Sequence, residues 1–220
     1  MLSSTIPGNA GQGCQAVSAT SSRPDTRTAA LEIAHALYDA DASSCDLILF
    51  FCSYHHAAAA SEAGATIRSV LDPRHVLGCT AESILGDDQE LDGVAGMSAM
   101  ALILPGVQLH PFAGSPSNPL PLSDPAALCD AVGLNEDTRA ILLLADPFTT
   151  PITKLIPALE SMPRAAGPIP LLGGMASGAS QPGHNRLILD DRTTDVGIVG
   201  ITISGDVDLE FVVSQGCRPI

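Results

Sequence analysis

Four short segments gather the side chains best able to do chemistry: Ser53-Tyr54-His55-His56, Cys79-Thr80-Ala81-Glu82, Asp146-Pro147-Phe148-Thr149-Thr150 and Gly174-Met175-Ala176-Ser177-Gly178. A thiol beside an imidazole could form a nucleophile, with Cys79 attacking and His55 or His56 taking its proton. The same groups could instead bind. Backbone N–H groups after Ser53 and Thr149, where helices are expected to begin, suit a carboxylate, and the carboxylates of Glu82 and Asp146 suit an ammonium. Each residue also has a plainer role. Ser53, Thr149 and Thr150 are types that cap helices. A free cysteine is commonly a small core filler, Asp146 before Pro147 favours a turn, and glycines such as Gly173, Gly174 and Gly178 permit tight turning.

Several chemistries are disfavoured by spacing. His55 and His56 are neighbours, and on a helix they point about 100° apart, so they share one tetrahedral metal poorly. Gly173-Gly174-Met175-Ala176-Ser177-Gly178 is not followed by Lys-Ser or Lys-Thr, which removes a phosphate loop, and no Gly-x-Ser-x-Gly elbow occurs. The acidic run Glu82, Asp87, Asp88, Glu90 and Asp92 lacks the glycine and closing glutamate of a calcium loop and reads as a solvated loop. Six cysteines (14, 45, 52, 79, 129 and 217) contain no C-x-x-C pair, so reduced, metal-free thiols are expected. Arg218 is a candidate anion-binding side chain, or an exposed residue that contacts a further domain.

The elements that must position these groups follow from periodicity. Ala30, Ile33, Ala34 and Leu37 recur at helical spacing after Pro24, predicting a first helix to about Asp39. The apolar run Leu47 to Cys52 suits a strand covered on both faces. A second helix is expected over His56 to Leu71, then a strand at Val76-Leu77. Val94 to Leu104, Pro105-Gly106 and Val107 to Phe112 read as a hairpin closed by a type II turn. The second half repeats the order: Ala140 to Ala145, a helix over Pro151 to Met162 interrupted at Pro157, Pro170 to Leu172, then a hairpin of Ile198 to Ser204 and Val207 to Val213 around Gly205-Asp206. The sequence thus predicts an α/β fold, a mixed sheet covered by helices and built from two pseudo-repeats of strand, helix, strand and hairpin, at about 45–113 and 139–214. Pro116 to Pro125 is the expected linker. Residues 1–22 read as a polar, partly flexible lead with one strand-like piece, Gln15 to Ala19, ahead of a single domain over 23–220.

Composition narrows the partners. The chain has 220 residues, 45% of them apolar, enough to fill a core. Its formal charge of −14 repels nucleic acid and anionic membranes on average, so neither is expected as a partner. The most apolar stretch, Val94 to Val107, includes Ser98 and Pro105 and is short for a spanning helix. With no secretion signal at the N-terminus, a soluble, cytoplasmic protein is expected. Aromatic residues make up 3% and tryptophan is absent, which leaves little material for a stacking platform.

The runs Asp46-Leu47-Ile48-Leu49-Phe50-Phe51-Cys52-Ser53, Gly78-Cys79-Thr80-Ala81-Glu82, Leu172-Gly173-Gly174-Met175-Ala176-Ser177-Gly178-Ala179 and Ser214-Gln215-Gly216-Cys217-Arg218-Pro219-Ile220 occur in an order that resembles the N-terminal FIST domain. The resemblance spans about Gln15 to Ile220. It implies an intracellular sensory module that binds a small ligand such as an amino acid and couples it to a signalling partner. It also implies a C-terminal FIST domain as partner, so that this chain resembles an excised or truncated copy. The family supplies no catalytic residues to carry over. In an open sheet, ligands bind beyond the carboxyl ends of parallel strands, which places the expected ligand site at Ser53, His55, Cys79, Thr80, Glu82, Asp146, Thr149, Gly174 and Ser177. The reading is a non-enzyme with no cofactor and no metal. Its rivals are a thiol enzyme using Cys79 with His55 or His56, and a scaffold that docks a C-terminal domain.

Overall fold

The computed structural model describes residues 4–5, 13–87, 89–162 and 167–211, residues 4–5 by their backbone only. Both faces of the run Leu47–Ser53 are buried, as its composition requires: Leu47, Leu49 and Phe51 enter one apolar cluster, Ile48, Phe50 and Cys52 another. In chain order the elements are β1 (Ser4–Thr5), β2 (Gln15–Ser21), α1 (Thr26–Asp39), β3 (Leu47–Ser53), a 3-10 segment (Tyr54–Ala59), α2 (Ala60–Leu71), β4 (His75–Ala81), β5 (Ser83–Gly86), β6 (Gln89–Asp92), β7 (Met97–Ile103) and β8 (Val107–Gly114). There follow α3 (Pro125–Val132), β9 (Thr138–Ala145), α4 (Ile152–Glu160), β10 (Leu171–Met175), β11 (Leu187–Leu189), β12 (Arg192–Thr194) and β13 (Ile198–Gly205).

The fold is α/β with mixed sheets, and the sheets are stacked. One has seven strands in the order β1-β2-β7-β3-β4-β11-β12, the other four in the order β10-β9-β13-β8, and β5-β6 form a separate ribbon. Helices α1 and α2 lay Ile33, Leu37, Ile67 and Leu71 on Ile48, Phe50 and Val76 of the larger sheet. Helices α3 and α4 lay Leu128, Val132, Leu155 and Leu159 on Ile141 and Leu143 of the smaller one. Between the sheets, Leu47, Leu77 and Cys79 meet Leu144, Val199, Ile201 and Ile203. Period-two alternation therefore sends each central strand's side chains into two different cores, giving helix, sheet, sheet and helix layers.

The expected hairpins do not form. Pro105-Gly106 make the predicted turn, with Gly106 at φ +78 and Val107 N–H donating to Leu104 C=O at 3.2 Å. The turn nevertheless carries the chain from one sheet to the other: β7 pairs with β2 and β3, whereas β8 pairs with β13. Residues 207–211 form no strand, and Val212 and Val213 lie outside the described residues. β2 is a full seven-residue strand paired along its length with β7, so Gln15–Ser21 belongs to the sheet rather than to a lead. The helix α3, capped by Asp124 through Ala126 and Ala127 N–H, occupies the end of the expected linker and the residues after it. Of the acidic run, Glu90 and Asp92 lie on β6, Glu82 and Asp87 flank β5 and Asp88 lies outside the described residues, while Ile84 of β5 is buried.

The two sheets share a strand order. β2-β7-β3-β4 and β8-β13-β9-β10 have the same neighbours, and β3∥β4 and β9∥β10 are the parallel pairs. Helices stand at matching places, α1 and α2 around β3, α3 and α4 around β9. The matching units begin at β2 and β8, not at residues 45 and 139, and each has a strand-helix-strand-helix-strand order ahead of its last strand. Pro157 sits inside α4. It removes one backbone donor there, and the helix stops at Glu160.

Candidate functional site

The carboxyl ends of β4 and β9 come together through buried polar side chains. Asp146, fully buried just after β9, accepts from Phe148 N–H at 3.2 Å, Thr149 N–H at 3.0 Å and the Thr149 hydroxyl at 2.7 Å on Oδ2. Its Oδ1 accepts from the Asn185 amide at 3.3 Å. Asn185, also fully buried, accepts from the Thr80 hydroxyl at 3.4 Å, and Thr80 Oγ1 accepts from Arg186 N–H at 2.9 Å. Thr149 Oγ1 accepts from Gly197 N–H at 2.8 Å, and the Thr150 hydroxyl donates to Gly197 C=O at 2.8 Å. The chain Thr80–Asn185–Asp146–Thr149–Gly197 thus ties the larger sheet to the smaller one. A carboxylate holding four donors in a buried site is a strong fixed joint.

The expected site residues divide into three groups around this joint. Thr80, Asp146 and Thr149 are in it. Glu82 and Ser177 lie on the surface beside it and touch, Glu82 N–H donating to Ser177 Oγ at 3.1 Å. Gly178 packs so closely on Thr80 that a side chain there would collide with it. Gly174 stands apart on exposed β10, with open space where a Cβ would be. Ser53 is buried and accepts from Gly96 N–H at 3.0 Å instead of capping the 3-10 segment. Exposed His55 has Nδ1 3.3 Å from Ser53 Oγ, and its ring meets that of Tyr54 edge to face at 6.1 Å. Asp146 has the turn role and offers its oxygens to protein donors, leaving no open face for an ammonium.

Cys79 points into the core between the sheets, and burial pushes its thiol up to about 12. Cys52 lies on the other face of the same sheet and is also pushed up to about 12, by burial first and by Cys79 second. Such thiols hold almost no thiolate near neutrality. His56, fully buried, shares a hydrogen bond of 2.9 Å between its Nδ1 and Thr26 Oγ1, while its Nε2 has no partner. Burial, and then His55, hold its pKa below the usual imidazole value, with Asp25 opposing. Cys79 and His56 therefore serve opposite faces of the sheet. Among the described residues no group of three His, Cys, Asp or Glu side chains could hold a metal, and the five described cysteines are free. Cys217 and Arg218 lie outside the described residues.

Sequence reading missed a concavity beside the joint. A cleft of about 250 Å³ opens beside the joint, walled by Leu120, Leu122, Leu155 and Ile198 and edged by Thr149 and Thr150. Thr149 is the one expected site residue in its lining. The opposite side of the Ser115–Asn118 turn borders a second cleft, of about 240 Å³, which reaches Arg192 and Thr194. The Pro- and Ser-rich stretch from Pro116 was the available signal, since it supplies one wall. Asn185 carried none, because nothing local distinguishes a buried Asn from a loop Asn. No helix among the described residues is long and apolar enough to cross a membrane.

Comparison with known sequences adds the lineage of the chain. The sequence model of the FIST N domain matches residues 46–220. An uncharacterized protein of Mycobacterium tuberculosis is 29% identical over 207 residues, covering 91% of this chain and 50% of that protein. An uncharacterized protein of Mycobacterium bovis is 30% identical over 203 residues, covering 90% of this chain and 49% of that protein. The chain spans about half the length of the curated relatives it matches.

Proposed function

The chain belongs to the FIST N domain family, and from that premise we propose that it is a sensory module that binds a small ligand with an aliphatic body, an aliphatic amino acid being the first candidate. The observation that carries this reading is the 250 Å³ cleft, whose apolar walls meet two threonines that are themselves bonded to the joint between the sheets. Small-molecule sites are concave and largely apolar, with a few placed polar groups. Leu120, Leu122, Leu155 and Ile198 would take the aliphatic body. Thr150 Oγ1 keeps acceptor capacity after donating to Gly197 C=O, so a placed polar acceptor borders the apolar space.

Coupling follows from connectivity. A ligand that presses on Thr149 or Gly197 acts on Asp146, and through Asn185 on Thr80 in the other sheet. A partner that reads the relative position of the sheets would sense occupancy. The polypeptide that makes up the other half of the longer relatives is the proposed partner, in keeping with a C-terminal FIST domain. The thiol-enzyme reading is disfavoured by the burial and raised pKa of Cys79.

The experiment is a thermal-shift screen of amino acids and related metabolites, followed by Leu122→Phe to fill the cleft. A ligand at 100 times its dissociation constant adds about 2.7 kcal/mol. The expected result is stabilisation by a small aliphatic compound that Leu122→Phe abolishes while the unliganded protein still melts cooperatively. Stabilisation that survives Leu122→Phe would move the site elsewhere, and no stabilising compound in the screen would count against this ligand class.

A further inference from the structure

The second cleft opens where β11 and β12 of the larger sheet face β8 and β13 of the smaller one, next to the Ser115–Asn118 turn. Leu189 and Val199, one from each sheet, belong to the core between the sheets and also line the cleft, so its inner wall is the edge of that core. Val196 continues the apolar surface. Strand pairing brings a charge to the same wall. Arg192 is the cross-strand partner of Leu189, and Thr194 that of Leu187, so Arg192 and Thr194 share the face that these leucines turn toward the smaller sheet.

The charged and amide donors of this lining are unclaimed. Asp190 and Asp191, the residues just before Arg192, are held by Arg68, with His75 also on Asp190. Arg23 and Arg74 have Glu32 and Asp46, and Arg139 and Arg186 donate to backbone carbonyls. Among the described residues, neither the Arg192 guanidinium nor the Asn118 side-chain amide has a hydrogen-bond or ion-pair partner. The backbone of Asn118 is nonetheless fixed, its N–H donating to Ser115 C=O and accepting in return through its own C=O, at 3.1 and 3.0 Å. Acidic residues outnumber basic ones by 24 to 10 in the chain, yet no Asp or Glu is among the described residues that line the cleft.

We propose that this cleft is a second binding site, for a short aliphatic monocarboxylate, with the carboxylate on Arg192 and Asn118 and the chain against Leu189, Val196 and Val199. A guanidinium presents a planar fork that matches a carboxylate, and the contact is charge-assisted. The apolar wall takes an alkyl chain, which inorganic phosphate lacks. An amino acid of the same length is disfavoured, because its ammonium would lose water and find no carboxylate in the lining. The ligand class therefore differs from that of the cleft beside Thr149 and Thr150. At about 240 Å³ the cleft is smaller than the roughly 300–1,000 Å³ usual for drug-sized ligands, which limits the chain to a few carbons. The charge of −14 opposes an anion at long range, but salt near 0.15 M screens it beyond about 8 Å, and the nearby donors decide the binding. Both sheets contribute to the site, so a bound carboxylate stabilises their stacking.

The test is a titration of the ¹⁵N-labelled protein with pentanoate, read from amide chemical shifts, on wild type, Arg192→Gln and Leu122→Phe, with pentanol, norvaline and inorganic phosphate as comparison compounds. Pentanoate is expected to move the amides of Gly114, Val196 and Val199 saturably. Arg192→Gln should raise its dissociation constant about 10- to 100-fold, the loss of one charge-assisted contact. Its melting temperature should be preserved, since Arg192 holds no partner in the fold. Leu122→Phe should leave pentanoate binding unchanged, because Leu122 lines the other cleft and not this one. The three comparison compounds should each bind about tenfold or more weakly. No saturable shift at these amides overturns the proposal. So does an affinity that a folded Arg192→Gln keeps, or pentanol, norvaline or phosphate binding as tightly as pentanoate. Loss of pentanoate binding in Leu122→Phe alone would place the compound in the first cleft, which overturns this second site and leaves the reading of the first one standing.

Discussion

Gly78 and Gly173 occupy the same place in the two parallel strand pairs: Gly78 faces Phe50 on β3, Gly173 faces Leu143 on β9, and a side chain on either would overlap the backbone carbonyl of the residue it faces. At both places the neighbouring, helix-connected strand leaves room only for hydrogen. Gly173 also has φ +128, where L side chains are strained, so its requirement is conformational as well as steric. Gly174, one residue on, has neither constraint.

Gly78→Ala and Gly173→Ala should each destabilise the protein by about 2–4 kcal/mol, through overpacking at both positions and added backbone strain at Gly173. Gly174→Ala should change stability by less than about 1 kcal/mol. Urea unfolding of the three variants measures this. Equal effects at all three positions would show that the backbone contacts at Gly78 and Gly173 are relieved by local movement.

Asp146→Asn should cost about 2–3 kcal/mol, because a charge-assisted acceptor of four donors becomes a neutral group that turns an N–H₂ toward some of them. Asn185→Ala should cost about 1–3 kcal/mol by leaving Asp146 Oδ1 and the Thr80 hydroxyl without their partner. In a double-mutant cycle the two losses should be less than additive, since both break one connection. Additive losses would mean that Asp146 and Asn185 act separately.

His56 sets a pH dependence. Its folded pKa is lowered, first by burial and next by His55, against the opposing Asp25 carboxylate. The unfolded chain therefore takes up the proton first. Stability is complete above the unfolded value of about 6.5 and falls as the pH drops through that value toward the folded one. Urea midpoints measured between about pH 8 and 5 should decline, and His56→Gln should flatten the decline. Asp25 also has a lowered pKa, owing to its bonds from Thr28, but its loss of stability belongs below about pH 4. A profile unchanged by His56→Gln would assign the decline to other groups.

Thiol reactivity should follow burial. Cys45, Cys52 and Cys79 are buried with pKa values pushed up to about 11, 12 and 12, whereas Cys14 and Cys129 are half-buried. In a Cys217→Ser background, Cys14 and Cys129 should react first with a thiol reagent near pH 8, and the other three only on unfolding. Peptide mapping by mass spectrometry checks the order. Rapid labelling of native Cys79 would revive a nucleophilic role for it.

Much of this molecule was written in local pattern. The apolar runs at Leu47 and Ala140 marked central strands because a strand covered on both faces needs no polar alternation. The stripe Ala30, Ile33, Ala34, Leu37 marked α1, and Pro105-Gly106 marked a type II turn that does form. Pairing was not local. The turn at Pro105-Gly106 fits two strands of one sheet or a crossing between two sheets equally well, because its dihedrals fix the reversal of the chain and not the partner that receives β8. That partner, β13, lies some ninety residues on. The same division holds at the site. Asp146 before Pro147 was legible as a turn residue, and Thr149 as a polar group at a strand end. Asn185 and the cleft beside Leu155 arise only when two sheets stack, since distant segments supply the burial that makes their polar atoms matter. Sequence set which residues could form strands, helices and turns. The stacking of the sheets decided which segments met across it and which carboxylate was enclosed.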